Sequence, residues 1–292
     1  MPPVWLPDER TSRRRRIIAR RTHLVRQRTR IKNQVQAILH RNLMPRPPVS
    51  DLFGTRGRAW LQRQDLPEDE HRSVTALLRQ LDFHGEELAL VNQEFAQEAL
   101  GDADVRRLMT VPGIDATVAL SIVAAVGDFS RFRSADKLVA YFGLNPRVRQ
   151  SGGQAAHLGR ITKTGRSQVR GMLVEAAWVA SRAPGPLRAF YQRIKAGRGI
   201  QVAIVATARK MITLCWHLAT KEQDYAFARP RLGAFKERKL ELQAGAQRQI
   251  AKRGKGYDYN DPALWRHERE IIEQQERAYA VLAAHWQPPR PE

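Results

Sequence analysis

Apolar residues recur every seven positions in the first third of the chain. One series is Ile17, Leu24, Ile31 and Ile38, with Ile18, Val25 and Leu39 beside it. A second series is Val74, Leu81, Leu88 and Phe95, with Leu77, Leu78 and Val91 filling the same stripe. Each pattern predicts a long helix with a heptad seam, and a connector rich in Pro and Gly (45–57) separates the two. We therefore expect an antiparallel coiled coil, formed within one chain or between subunits.

Residues 108–127 predict two apolar helices joined by a tight Pro-Gly-Ile turn, as in a helix-hairpin-helix. Gly113 permits a backbone turn that a side chain would block. The N–H groups at the start of the second helix could then bind phosphate without reading bases. An ordinary helical hairpin packed in a core is the alternative, and Asp115 in the turn weakens the phosphate interpretation.

The rest of the chain is also mostly helical in pattern. Helices are predicted at 134–141, 168–181, 187–196, 200–220 and 263–285, with a further possible helix in the basic stretch 229–255. Two short arms, 147–150 and 157–161, predict a β-hairpin around Ser151-Gly152-Gly153. At the N-terminus, Val4–Leu6 is typical of a short strand, with no other strand nearby to pair with. The fold class is mainly α: an arginine-rich helical coiled-coil hairpin, then a helical domain with a helix-hairpin-helix and a short β-hairpin.

These patterns divide the chain into four predicted regions. Residues 1–9 form a lead-in, 10–101 a coiled-coil region, 102–225 a domain that carries Ser151, and 226–292 a basic C-terminal tail with a terminal helix.

Charge adds a class of partner. The chain has 50 Lys and Arg against 29 Asp and Glu, a formal net charge of +21 and a pI near 11.1. Such an excess favours a polyanionic partner. The most apolar run, 200–218, is interrupted by Arg209, Lys210 and His217, so no membrane partner is expected. Cys215 is the single cysteine, which excludes an intramolecular disulfide and fits a reducing cytoplasm.

The first helix concentrates this charge. Between Arg10 and Lys32 the sequence has eleven basic residues and no acidic one, which favours contacts with phosphates over a merely solvated face. The candidate contacts on this helix are Arg13, Arg14, Arg15, Arg16, Arg26, Arg28 and Arg30.

Ser151 is the candidate nucleophile. No carboxylate occurs between Asp136 and Glu175, whereas the same stretch holds Arg147, Arg149, Arg160, Lys163, Arg166 and Arg170, the candidate phosphate contacts around the serine. Hydrolysis of an amide or ester would require a histidine base with an orienting acid, and His157 has no acid near it. Clustered arginines suit a phosphodiester, and Gly152 and Gly153 would let a DNA backbone approach closely. A flexible Ser-Gly-Gly linker is the alternative.

Four stretches together resemble one known family. The first three are MTVPGIDATVALSIVAAVGDFSRFRSADKLVAYFGLNP, RQSGGQAAHLGRITKTGRSQVRGMLVEAAW and VAIVATARKMITLCWHL. They resemble the C-terminal domain of bridge-RNA-guided transposases of the IS110 family, together with the related IS116 and IS902 group. VWLPDERTSRRRRIIARRTHLVRQRTRIKNQVQAILHRNL resembles the lead-in to that family's coiled coil. The resemblance covers residues 4 to about 225.

The resemblance implies a DNA recombinase. Family members carry an N-terminal RuvC-like domain with an Asp-Glu-Asp-Asp metal tetrad, and a serine that matches Ser151 bonds covalently to DNA. The implied partners are double-stranded DNA, a structured guide RNA and further copies of the same chain, joined through the coiled coil.

One departure from the family is large. The tetrad lies upstream of the segment that begins at Val4, so no residue here inherits a metal role, and Mg²⁺ is expected only with that domain. The resemblance implies that residues 1–9 are the remaining end of the missing RuvC-like domain. The expectation is therefore a truncated chain, or one read from a late start codon, without a cofactor of its own, inactive alone but still able to bind nucleic acid. The alternative is a non-enzymatic nucleic-acid-binding protein derived from the transposase.

Overall fold

The computed structural model describes residues 5–150, 157–247 and 258–285. Its helices are α1 Glu9–Arg41, α2 Thr55–Leu61, α3 Glu68–Leu100, α4 Ala103–Met109, α5 Ala116–Val126, α6 Ala135–Tyr141, α7 Ser167–Ala180, α8 Pro186–Thr220, α9 Pro230–Gln243 and α10 Pro262–His285. Short 3-10 helices lie at Phe129–Arg131 and Asp258–Asn260, and the strands are β1 Pro146–Arg149 and β2 His157–Ile161. A mainly α chain with one short β-hairpin is confirmed.

The chain forms two compact units. The smaller unit is residues 16–95, and the larger unit combines residues 1–15 with residues 96–292. The last helices belong to the larger unit, so the basic C-terminal region is folded onto it at least through α9 and α10.

The smaller unit is a pair of antiparallel helices. Arg41 near the end of α1 pairs with Glu70 near the start of α3, whereas Arg20 pairs with Glu87 at 2.7 Å. The heptad positions are buried between them: Ile17, Leu24, Ile31, Ile38, Val74, Leu81, Leu88 and Phe95. The seam is therefore covered within one chain, and no second copy is required to bury it. Supercoiling of this pair, and assembly of the chain through it, stay predictions.

The connector between these helices is itself folded. It contains α2, which the sequence did not predict, and its residues Leu52 and Leu61 pack in a small core with Val35, Ile38 and Leu39 of α1 and Val74 of α3. Gly57 in α2 lies so close to the preceding turn that a Cβ there would stand 2.3 Å from the carbonyl oxygen of Leu52.

The larger unit is built around α5. Every residue from Val118 to Val126 in this helix is buried, because α4 and α7 cover it with α8 behind them. A helix that is apolar on all faces is typical of a core, and α5 consists largely of Ala, Val, Ile and Leu. Beyond this layer, α6 and α10 pack against α8, and α9 contacts α4.

Helix α8 bends in the middle. Gly199 has φ +77, which separates two helical segments close to the predicted 187–196 and 200–220. By length and composition α8 could cross a membrane. Its residues Ala203, Ala208 and Met211 are buried among the neighbouring helices, as in a core helix.

The predicted N-terminal strand is not formed where the chain is described. Trp5 and Leu6 lie in extended chain ahead of α1 without a strand partner, and Val4 lies outside the described residues. The Trp5 indole instead covers Gly127, where a Cβ would stand 2.4 Å from the ring. The segment ahead of α1 is therefore held by the packing of this ring against Gly127 and not by strand pairing.

The terminal helix has a partner, which the sequence did not reveal. Glu276 on α10 accepts hydrogen bonds from the Arg188 side chain and from the Gly185 backbone N–H at the start of α8. Glu268 likewise accepts from Arg229 ahead of α9. The acidic face of α10 therefore neutralises part of the positive charge of the larger unit.

Close approach at Gly57 gives a stability prediction. Gly57→Ala should lower the free energy of unfolding by about 1–3 kcal/mol, because the methyl group must displace backbone. Gly85→Ala, in open space on α3, should raise it by about 0.5–1 kcal/mol, since alanine is the better helix former. Urea denaturation of both variants measures the difference. Equal effects would contradict the packing described for α2.

Candidate nucleic-acid interface

The β-hairpin carries the candidate serine between its strand ends. Strands β1 and β2 are antiparallel, with Val148 opposite Leu158 and Arg149 opposite His157. Ser151, Gly152 and Gly153 lie outside the described residues, within the connection that joins Gln150 to His157. The described strands therefore fix where this connection starts and ends.

The base of the hairpin is tightly bonded. Thr162 donates from its backbone N–H to the Asn145 carbonyl at 2.9 Å, and from its hydroxyl to the Asn145 side-chain oxygen at 2.9 Å. Lys163 donates its N–H to the carbonyl of Gly143. Gly143 has φ +66, and a Cβ there would stand 2.2 Å from the Thr164 carbonyl oxygen. The hairpin is thus anchored on the residues that follow α6.

The predicted cations divide into two groups. Arg147, Arg160, Lys163 and Arg166 are exposed on and below the hairpin. Arg170 is half-buried and donates to the carbonyl oxygens of Phe142 and Thr164 at 3.0 and 3.1 Å, so it ties α7 to the hairpin base. The Arg149 side chain lies outside the described part of the chain. Phosphate binding by these residues stays a prediction.

Three arginines, including Arg166, lie close to the phenol of Tyr141 near the base of the hairpin. The Tyr141 hydroxyl donates to the Ala125 carbonyl at 3.0 Å and accepts from Arg166 Nε at 3.3 Å. Arg15 donates to the carbonyl oxygens of Ala124 and Ala125 at 2.8 and 2.9 Å. We name Arg15, Arg131, Tyr141 and Arg166 the tyrosine cluster.

Arg131 completes the tyrosine cluster. Its guanidinium carbon lies 4.2 Å from the centroid of Trp5, 4.6 Å from that of Phe132 and 5.0 Å from that of Tyr141. The sequence did not identify Arg131 as a site residue, because Phe-Ser-Arg-Phe predicts only an interruption between two helices. An arginine between two aromatic residues, followed within ten positions by Tyr141, was the available signal.

Positive charge dominates the tyrosine cluster. Burial alone would raise the pKa of Tyr141, but hydrogen bonds and charge from Arg166 and Arg131 outweigh it and the pKa is lowered. Burial lowers the pKa of Arg15, and repulsion from Arg166 and Arg131 lowers it further. Charge from Arg166 and Arg131 thus contributes to the lowered pKa of both Tyr141 and Arg15.

The helical hairpin at Gly113 has a packing role. Gly113 has φ +86, and a Cβ there would stand 2.2 Å from the Ala176 carbonyl oxygen on α7. The Asp115 carboxylate accepts from the Val118 N–H and caps α5. Because that carboxylate already occupies the N-terminus of α5, it competes with a phosphate there. Phosphate binding through a helix-hairpin-helix is not confirmed.

A lysine fills the concave side of this turn. Lys236 of α9 donates from Nζ to the carbonyl oxygens of Met109, Val111 and Ile114 at 2.7, 3.3 and 2.9 Å. Burial lowers the pKa of Lys236 to about 8, against the charge of Asp115, which favours the ammonium form. The chain thus supplies its own cation to three carbonyl groups that no helix satisfies.

Some arginines of α1 have protein partners, which corrects the view that the charge of this helix is uncompensated. Arg14 is buried and pairs with Glu98 at 3.3 Å and Asp102 at 2.7 Å. Arg13 pairs with Glu98 at 3.2 Å, although its side chain stays half-exposed. The sequence of α1 alone could not reveal these ion pairs, because the acidic residues lie in α3 and in the loop after it. Arg14 and Arg15 therefore hold the larger unit together.

The remaining α1 candidates belong to the smaller unit. Arg16, Arg26 and Arg30 are exposed, and Arg28 is half-buried. Nucleic-acid contact by these residues stays a prediction.

Other chemistry has little support among the described residues. No group of three or more His, Cys, Asp or Glu side chains lies close enough there to hold a metal ion. Cys215 is buried, and burial raises its pKa to about 12, so its thiol is not a nucleophile at neutral pH.

The role of Arg14 can be tested by substitution. Arg14→Gln should lower the free energy of unfolding by about 3–5 kcal/mol, because Glu98 and Asp102 lose the partner of a buried pair. Arg72→Gln should change it by less than about 0.5 kcal/mol, since Arg72 and Glu68 are 70% and 85% exposed. Urea denaturation measures both. A folded Arg14→Gln protein of normal stability that no longer binds DNA would reverse this assignment.

Lys236 gives a pH dependence. Between pH 8 and 10.5 the unfolded chain keeps a proton on Lys236 that the folded chain has released. Stability should therefore rise with pH in this window, by up to about 1.4 kcal/mol per pH unit, relative to Lys236→Met. The measurement is the difference in unfolding free energy between the two proteins at pH 7, 8, 9 and 10. A difference that stays flat or falls would show that the carbonyl groups hold the ammonium form.

Known proteins resemble the part of the chain that carries these residues. Residues 105–192 match the model of the transposase IS116/IS110/IS902 family. A putative transposase, y4qE, of Sinorhizobium fredii is 28% identical over 249 residues, which is 76% of this chain and 60% of the relative. The transposase for insertion sequence element IS1111A of Coxiella burnetii is 30% identical over 162 residues, 53% of this chain and 43% of the relative.

A pilin gene-inverting protein of Moraxella bovis is 30% identical over 120 residues, 40% of this chain and 37% of the relative. The chain thus spans between about a third and three fifths of the length of these curated relatives. The matched family segment runs from α4 into α8 and includes α5, the tyrosine cluster residues Arg131, Tyr141 and Arg166, and the whole β-hairpin. The similarity to the transposase IS116/IS110/IS902 family thus lies in residues 105–192.

Proposed function

We propose that this chain is the serine-bearing part of an insertion-sequence recombinase, in which Ser151 attacks a phosphodiester of DNA. One observation carries the proposal: the connection that holds Ser151 joins two paired strands that carry exposed Arg147 and Arg160, with exposed Arg166 shortly after them in the chain. These guanidinium groups suit a phosphate, and the stretch 137–174 contains no acidic side chain that would repel it. The names of the relatives, which include a pilin gene-inverting protein, support DNA rearrangement as the activity.

The proposed step exchanges one phosphate ester for another. A bond forms between Ser151 Oγ and phosphorus, and the bond from phosphorus to one deoxyribose oxygen breaks. That oxygen leaves with the electron pair and takes up a proton, while the serine proton passes to a base. Since ester bonds are exchanged and not hydrolysed, the linkage stays available for rejoining.

Activation of the serine is assigned to a separate domain. By resemblance, an acidic RuvC-like domain with bound Mg²⁺ would lower the barrier to deprotonation and neutralise charge on the phosphoryl oxygens. Residues of this chain bind and orient the DNA. A guide RNA that selects the donor and target DNA by base pairing, and assembly of several copies, complete the proposal. The exposed arginines Arg16, Arg26 and Arg30 are candidate RNA contacts.

Covalent trapping on a nicked suicide DNA substrate tests the nucleophile. The chain extended at its N-terminus by a RuvC-like domain with the Asp-Glu-Asp-Asp set should form a protein–DNA adduct in Mg²⁺, and Ser151→Ala should abolish it. The unextended chain should bind the same DNA without forming the adduct. Denaturing gel electrophoresis reads out the adduct.

An adduct that persists in Ser151→Ala would exclude Ser151 as the nucleophile. Binding by every form, with no adduct from the extended chain, would identify a non-enzymatic nucleic-acid-binding protein instead. Ser167→Ala at the start of α7 is a matched control, because it removes an exposed hydroxyl outside the hairpin and should leave the adduct unchanged.

A further inference from the structure

The tyrosine cluster has more cationic groups than its protein partners can balance. Arg15, Arg131 and Arg166 surround one phenol, and no carboxylate within the described residues forms an ion pair with any of the three. The Tyr141 hydroxyl and the carbonyl groups at the end of α5 carry only partial negative charge. Cations held together in this way repel one another, and a bound anion would relieve the repulsion.

The donors of the cluster differ in how fully they are used. Arg15 spends its Nε and one terminal nitrogen on two carbonyl groups. Arg131 keeps its Nε buried without a hydrogen-bond partner, which is costly for a charged donor. Arg166 is exposed and, within the described part of the chain, donates to the Tyr141 hydroxyl from its Nε. Unused donors are thus concentrated on Arg131 and Arg166, with a path to solvent at Arg166.

The aromatic rings hold Arg131 in position. The guanidinium lies between Trp5 and Tyr141, with Phe132 beside it, so its plane is fixed before any ligand arrives. A pre-oriented guanidinium loses little freedom when it binds a phosphate. A group that served only to fill space would not need a charge at this place, because an apolar side chain would pack against three rings without desolvation.

We propose that Arg131, Tyr141 and Arg166 form a phosphate site at the hairpin base, which binds a DNA phosphodiester away from the one that Ser151 would meet. This proposal rests on the proposed function. Strand β1 extends by about 3.3 Å per residue, so Arg149 lies about 10 Å along the strand from Pro146. This distance along β1 corresponds to about three nucleotides along one strand of B-DNA. Arg131 and Arg166 are therefore positioning residues that fix the DNA relative to the hairpin tip.

The test measures how the affinity of the full chain for a 20-bp duplex depends on salt. The paired substitution Arg131→Gln with Arg166→Gln should reduce the slope of log K against log salt by about 0.9, the value for one phosphate contact. Tyr141→Phe should weaken binding about 5- to 10-fold and leave the slope unchanged, since it removes the neutral oxygen that orients the Arg166 guanidinium and changes no charge.

The matched control is Arg182→Gln. Arg182 is exposed just beyond the far end of α7, about 20 Å from Arg166 by helix rise, so the substitution removes the same charge outside the site. It should leave the slope unchanged. Melting temperature is recorded for each variant, and Arg166→Gln with Tyr141→Phe serves as the pair if Arg131→Gln does not fold.

The outcomes separate this inference from the proposed function. Wild-type protein that binds no DNA overturns both. Wild-type protein that binds with a steep slope, unaffected by the paired substitution or affected equally by Arg182→Gln, overturns the phosphate site alone. If inorganic phosphate raises the melting temperature of the wild type but not of the paired variant, while DNA affinity is unaffected by the pair, the site takes a free anion and the assignment to DNA is wrong.

Discussion

Side-chain donors bind backbone carbonyl groups on both sides of the buried helix α5, and these contacts organise the larger unit. Carbonyl groups in the turn that precedes α5 receive the ammonium of Lys236, and carbonyl groups at the end of α5 receive the guanidinium of Arg15 and the phenol of Tyr141. The last carbonyl groups of a helix have no partner within it, and a buried carbonyl group is costly if left unpaired. Elements far apart in sequence, α1, α6 and α9, are thereby fixed against α5 and the turn before it. Because the base of the β-hairpin is bonded to the residues that follow α6, these contacts also hold the hairpin.

Positive charge in this protein therefore has two uses. Where acidic or carbonyl partners are close, as at Arg14, Arg188 and Lys236, the charge joins helices within the fold. Where partners are weak, as on Arg131 and Arg166, it remains available to a ligand. A net charge of +21 alone does not separate these uses, because both raise the count equally. Neighbours in space decide the role of each residue.

Sequence patterns predicted the helices and the β-hairpin well, because heptad and amphipathic spacing reflect burial that is local to each element. The prediction of a strand at Val4–Leu6 was wrong for the described residues Trp5 and Leu6. The Trp5 ring packs over Gly127, a contact between distant residues that no local sequence pattern indicates. The sequence did not reveal the acidic partners of Arg14 for the same reason: Glu98 lies 84 residues away. The tyrosine cluster was missed because its members come from α1, the Phe129–Arg131 turn, α6 and the start of α7. The serine loop lies outside the described residues, and its role stays a prediction.

Lys163 adds a separate indication of where charge matters. It has φ +57 at the hairpin base, a left-handed conformation that glycine or asparagine adopts with less strain. A side chain with a long stem costs about 1 kcal/mol there. The backbone N–H of Lys163 donates to the Gly143 carbonyl at 3.1 Å, so the hydrogen bonds of the hairpin base hold the residue in this conformation in spite of the strain. The same bonds leave the ammonium of Lys163 exposed to solvent.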